Sequence, residues 1–198
     1  MTSPRSTLAA PAQLTQDVRK SRFLANAANA STPEAAIAFV AAVADAGATH
    51  NCWAYRAGQH YRFNDDGEPS GTAGKPILQA IDGQGLDEVV VVVTRWFGGI
   101  KLGAGGLMRA YGGCAAECLR GAAKRELIHT SDVEFDLGFG ALPLLYARLA
   151  DFDARKLSES FVSEGAVLRV RIPTKRLDAL RALLADVSRG QCSVRVLD

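Results

Sequence analysis

The 198-residue sequence predicts an α+β protein of two domains. Three observations lead to that class. Apolar residues recur with a period near two in some segments and near 3.6 in others, so strands and helices are both present. The last third reads strand, helix, strand, strand, helix, strand, the ferredoxin-like order. With 48% hydrophobic and 22% charged residues, the composition is that of a packed globular chain and excludes a disordered or fibrous one.

The chain begins with Ser, Thr, Pro and Ala as the dominant residues, a composition that buries little, and residues 1–19 are expected to form a mobile tail. Ser31, Thr32, Pro33 and Glu34 then supply an N-cap, a proline for the first turn and an early acid ahead of Ile37, Phe39, Val40 and Val43, so a helix follows, closed by Gly47. Residues 52–56 and 60–63 read as a hairpin around Ala57, Gly58 and Gln59. A short helix is expected over 76–81. Residues 89–94 are β-branched without interruption and predict a strand buried on both faces, the centre of the first sheet. Leu107, Tyr111, Cys114, Ala115, Cys118 and Ala122 share one stripe of a helix over 105–124, in which Gly112 and Gly113 suggest close packing against another backbone. The first domain thus covers 20–128.

After a linker, the second domain covers 132–198, with strands at 133–139, 156–163, 166–172 and 192–197 and helices at 142–154 and 174–188. Arg169 and Arg171 share a strand face, and the ferredoxin-like order sets Glu134 and Asp136 beside them, with Arg195 beyond. Such a face is charge-compensated and offers no aromatic platform for bases, so it reads as a solvated or interdomain surface.

Net charge is +2, too mild to imply nucleic-acid binding without local clustering. Cys52, Cys114, Cys118 and Cys192 form no C-x-x-C pair, which argues for buried thiols in a reducing cytoplasm. No signal-peptide core or bilayer-length apolar run is present, so no membrane partner is expected.

Clustering does occur after the central strand, in Thr94-Arg-Trp-Phe-Gly-Gly-Ile-Lys-Leu-Gly-Ala-Gly-Gly-Leu-Met-Arg-Ala-Tyr111. No acid lies between residues 89 and 116, so Arg95, Lys101 and Arg109 leave a local charge of +3. Amides of Gly103, Gly105 and Gly106 at a helix start, with those three cations, are a candidate phosphate site, and Trp96 or Tyr111 is a candidate for stacking a base. The spacing is neither a Walker loop nor a dinucleotide fingerprint, and the glycines have a second reading, positive φ and close packing alone. Ser70, Thr72 and Lys75 are candidates for the other wall of the anion site. Asp65, Asp66 and Glu68 form a polar turn whose spacing departs from an EF-hand loop. His50 and Cys52 are too few to predict a metal site, and no serine elbow is present, so no catalytic residue, metal or cofactor is assigned.

Asn51-Cys-Trp-Ala-Tyr-Arg56, Asp65-Asp-Gly-Glu-Pro-Ser-Gly-Thr-Ala-Gly74 and the segment from Arg95 to Tyr111 resemble the signature segments of the Impact/YigZ family. The resemblance covers roughly residues 20–198. It implies a first domain like the second domain of ribosomal protein S5, followed by the ferredoxin-like domain of bacterial members, a pair similar to the last two domains of elongation factor G. Trp96 stands where many relatives have Tyr, a change that preserves an aromatic surface. Eukaryotic relatives add an N-terminal RWD domain and restrain a translation-control kinase; that role is not expected to transfer. The resemblance implies a non-catalytic protein that binds RNA or the ribosome in the regulation of translation, with a protein of the translation machinery as a further partner. The alternatives are a small-molecule enzyme holding a phosphorylated ligand at the glycine loop, with Asp65, Asp66 and Glu68 for Mg²⁺, and a protein-interaction module.

Overall fold

Val89, Val90, Val91, Val92 and Val93 are all fully buried, so the strand that holds them has no solvent face. The computed structural model describes residues 5–197 and divides into two compact units that meet in sequence at Leu127 and Ile128. In the first, the elements are β1 (Ser6–Leu8), β2 (Ala12–Val18), β3 (Ser21–Asn29), α1 (Pro33–Val43), β4 (His50–Ala57), β5 (His60–Asn64), α2 (Gly74–Gly83), β6 (Val89–Trp96), α3 (Ala104–Gly121) and β7 (Lys124–Glu126). The main sheet is antiparallel in the order β2-β3-β6-β4-β5, and β1 pairs separately with β7.

Alternation along β6 assigns its residues to two cores. Val89, Val91 and Val93 join Phe23, Cys52, Ile77, Tyr111 and Cys114 beneath α2 and α3, whereas Val90 and Val92 join Ala36, Trp53 and Tyr55 beneath α1. Helix α1 starts where the sequence signals it: the Thr32 side chain accepts from the Ala35 amide at 3.2 Å and Pro33 takes the first turn. It ends at Ala44 in extended backbone, three residues ahead of Gly47.

The expected tail is a correction. Residues 6–8 and 12–18 are strands, and Leu8 is buried in the core, with Ala12, Leu14 and Val18 packed against it. Gln16 breaks the apolar alternation of β2 and small residues surround it, so the strand carries little local signal; its partner is β3, already half of a sheet. Residues 1–4 of the expected tail lie outside the described residues.

The second unit holds β8 (Thr130–Gly138), α4 (Leu142–Arg148), β9 (Arg155–Val162), β10 (Gly165–Pro173), α5 (Leu177–Val187) and β11 (Arg195–Leu197), in an antiparallel sheet ordered β11-β8-β10-β9. Val133, Phe135, Leu137, Leu168, Val170 and Ile172 meet Leu142, Leu145, Leu180 and Leu184 from the two helices in one core. On the other face Arg169 bonds Glu134 at 2.7 Å and Arg195 also reaches Glu134, as expected, whereas Arg171 bonds Asp132 at 2.6 Å in place of the expected Asp136, because the strand register sets Asp132 opposite it. Mixed helix and antiparallel sheet in each unit is the α+β class. No helix among the described residues is long and apolar enough to cross a membrane.

The two adjacent glycines of α3 have opposite surroundings. A Cβ on Gly112 would lie 3.2 Å from Pro76 Cβ of α2, whereas one on Gly113 meets nothing within 4 Å. Gly113→Ala should stabilise the protein by about 0.5–1 kcal/mol through helix propensity alone. Gly112→Ala should forfeit that gain to overpacking and end net destabilising by about 1–2 kcal/mol. Urea midpoints of the two variants check this, and equal shifts would show that α2 and α3 do not pack closely at Gly112.

Candidate functional site

Three segments that are distant in sequence meet on a single carboxylate. Residues 65–74 form the loop that enters α2, and this loop carries Glu68 into the interior, where it is 9% exposed. Arg95, near the end of β6, donates from Nη1 to Glu68 Oε1 at 2.6 Å, and the Tyr111 hydroxyl of α3 donates to the same oxygen at 2.7 Å. His50 Nε2 lies 3.8 Å from it. The guanidinium sits between two rings, 5.5 Å from the centroid of Phe23 and 5.4 Å from that of Phe97, and its Nη2 reaches Ser21 Oγ at 3.3 Å. Arg95 Nε is buried without a hydrogen-bond partner.

The neighbouring acids are equally committed. Asp65 accepts from the amides of Gly71, Ala73 and Gly74 at 2.8, 3.0 and 2.8 Å, doing at the start of α2 what no cap side chain does. Asp66 accepts from the Asn51 amide at 2.5 Å, and its carbonyl faces His50 Nδ1 at 2.6 Å. A carboxylate trio for Mg²⁺ therefore does not assemble, and no group of three or more His, Cys, Asp or Glu among the described residues is arranged to hold a metal ion. Cys52 donates to the Asp65 carbonyl at 3.0 Å rather than sharing a site with His50. Burial pushes the Cys52 thiol up to about 12 and Cys114 likewise, and holds the Tyr111 phenol far above its usual range.

The candidate anion site is thus divided by burial. Arg95 and Tyr111 are interior groups bound to Glu68 and are unavailable to phosphate or base, which corrects both assignments: strand alternation turns Arg95 to the α3 side, where Tyr111 also points. Thr72 is buried as well, its hydroxyl donating to the Pro69 carbonyl at 2.6 Å. Ser70, Lys75, Lys101 and Arg109 are exposed. Trp96 is half-buried under Arg22, whose guanidinium carbon lies 5.1 Å from its ring centroid. Phe97, 46% exposed, covers the Arg95 guanidinium with one face and is the most exposed aromatic of the 94–111 segment, a residue the sequence alone did not single out beside Trp96.

The glycines play separate parts. Gly103 takes φ 72° as the N-cap of α3, with no side chain capping the helix, so the first-turn amides of Gly105 and Gly106 are open. Gly98 permits a backbone approach: a Cβ there would stand 1.9 Å from the Lys20 carbonyl oxygen, and its amide donates to Ser21 Oγ at 3.2 Å. That contact brings the β2–β3 turn, with Arg19 and Lys20, to the glycine loop. Both cations lay in or beside the expected tail, and the run Arg19-Lys-Ser-Arg22 was the signal for them.

Two cavities differ in charge as well as in size. The larger, about 630 Å³ in the second unit, is lined by Asp136, Glu164, Asp186 and Arg189, a net acidic wall. The smaller, about 370 Å³ in the first unit, has Arg19 and Arg109 and no acid among its lining residues.

Removing the charge of Glu68 while keeping its shape leaves Arg95 buried and unpaired, so Glu68→Gln should cost about 3–5 kcal/mol, and Tyr111→Phe about 1–2 kcal/mol. Urea unfolding of each checks this; a near-neutral Glu68→Gln would mean the pair does not hold the loop. The thiols supply a pH dependence. Unfolded cysteine ionises near about 8.5, whereas Cys52 and Cys114 keep their protons to about 12, so stability should fall as pH rises from about 8.5 towards 12. Unfolding free energies at pH 8 and 10, beside native thiol titration, test that sign.

Comparison with known proteins agrees with these segments. Residues 19–119 match the Impact N-terminal domain. The chain is 48% identical over 178 residues to an IMPACT family member in the pol 5′ region of Thermus thermophilus, covering 88% of this chain and 97% of that one. It is 36% identical over 197 residues to the IMPACT family member YigZ of Escherichia coli, covering 96% of each. A solved structure of a hypothetical protein aligns with a TM-score of 0.71 at 34% identity, covering 100% of this chain and 99% of that one. The matched region includes the Glu68, Arg95 and Tyr111 cluster and the basic glycine loop, and the chain belongs to the Impact family.

Proposed function

We propose that this protein is a non-catalytic RNA- or ribosome-binding protein that acts in the regulation of translation, with the basic glycine loop of the first unit as its contact surface. The observation that carries the reading is the fate of the cations. Arg95 is consumed internally by Glu68, yet Lys101 and Arg109 stay exposed and unpartnered among the described residues, on a segment without acids. Exposed cations that no protein group neutralises, beside open helix amides and the exposed Phe97, suit phosphates with an adjacent base.

The architecture supports the same reading. An antiparallel sheet with paired helices in the first unit is compatible with a fold like the second domain of ribosomal protein S5. The order β11-β8-β10-β9 in the second is compatible with a ferredoxin-like domain. Ribosomal subunits in the cytoplasm are the proposed setting. The enzyme reading loses its Mg²⁺ ligands, because Asp65, Asp66 and Glu68 are bound to protein donors.

Binding to ribosomal subunits or short structured RNA should weaken steeply between 50 and 200 mM salt. Lys101→Ala/Arg109→Ala should lower affinity by about tenfold or more, and reduce the slope of log K against log[salt] by about 1–2. Filter binding measures both. Unchanged affinity in the double variant would remove the loop as the contact, and no binding by the wild type would favour a protein partner.

A further inference from the structure

The turn joining β2 to β3 has two residues, Arg19 and Lys20, between the paired Val18 and Ser21. Both adopt positive φ, 46° and 68°. That is the backbone of a hairpin turn whose two central positions suit Asn and Gly, because Gly has no Cβ to clash at positive φ and the short Asn side chain hydrogen-bonds locally. Long cationic side chains at both positions are strained, and such strain persists where function requires the residue. Gly98 holds the turn in place through its backbone approach to Lys20.

Beside this turn lies the groove of about 370 Å³. Gln16, Val18 and Arg19 form one wall, and Leu102, Gly106 and Arg109 belong to the other. Arg19 and Arg109 are both exposed and have no partner among the described residues. The Gly106 amide is one of the open first-turn donors of α3. Of the nearby acids, Asp17 alternates to the opposite side of β2 from Gln16 and Val18. Glu117 accepts from the Gln16 side chain and stands about 12 Å along α3 from Arg109. The groove therefore keeps two forked cations and a backbone donor.

We infer that this groove is a phosphate seat in which Arg19 and Arg109 grip one phosphate group from opposite walls, with the start of α3 beneath it. The volume exceeds that of a bare phosphate and leaves room for an attached sugar. The inference rests on the RNA reading above for its ligand, the phosphodiester of an RNA strand. A free phosphorylated molecule has the same chemistry and is separated by experiment.

The test is Arg19→Asn/Lys20→Gly in the full chain, which installs the residues the turn favours and deletes both cations. Its melting temperature should rise, while affinity for a short structured RNA falls by tenfold or more and the salt slope drops by about 1–2. Arg19→Lys, which keeps the charge and loses the forked geometry, should weaken binding a few-fold and preserve the slope. Opposite signs for stability and binding mark a ligand role rather than a structural one. If the double variant bound RNA like the wild type while Lys101→Ala still weakened it, the groove would be wrong and the RNA reading would stand. If the wild type ignored RNA yet bound inorganic pyrophosphate by calorimetry in an Arg19- and Arg109-dependent manner, the groove would stand and the RNA reading would fail. Binding of neither would overturn both.

Discussion

The buried Glu68–Arg95 pair ties the first unit together. Each group alone is a charge in a low-dielectric interior, and neither is tolerable there without the other. The pair is completed by Tyr111 from α3 and Ser21 from β3, so one carboxylate sets the loop before α2, the end of the central strand and the long helix against each other. A buried ion pair is weak evidence of net stability, because well-packed apolar residues often serve as well. What it does supply here is position: Glu68 ties the loop of residues 65–74 to both Arg95 and Tyr111.

That same interaction decides what the surface presents. A sequence with three cations between residues 89 and 116 invites a single basic site, but Arg95 faces inward and is neutralised. Lys101 and Arg109 remain outside, and the glycine contact at residue 98 adds Arg19 and Lys20 from an edge strand. The basic surface is therefore assembled from two ends of the unit, joined by a backbone approach that no side chain larger than hydrogen permits. In the second unit, by contrast, Arg169, Arg171 and Arg195 each bond Glu134 or Asp132, so these cations are engaged within the sheet face.

Local sequence was most informative where one residue sufficed to specify a conformation. Thr32 and Pro33 start α1 through their own side chains, and five β-branched valines in succession favour a strand, which the structure covers on both sides. The order of elements in the second unit followed from alternation and turn residues, although only β9 and β10 pair as sequence neighbours while β8 pairs with β10 and with the distant β11. Strand β2 was illegible for the converse reason. Its stability comes from hydrogen bonds to β3 and from Leu14 and Val18 meeting α3, none of which its own composition announces.

The sequence by itself determined the class of the protein, the central strand, the two long helices and the family to which it belongs, because periodicity and signature segments are properties of consecutive residues. Only the tertiary structure decided which charged groups are ligands for solvent and which are ligands for each other. Arg95 and Arg109 look alike in a basic segment, yet one lies on a strand whose alternation turns it to Glu68 and the other on the outer side of a helix. Burial depends on what packs above a residue, and that partner arrives from elsewhere in the chain.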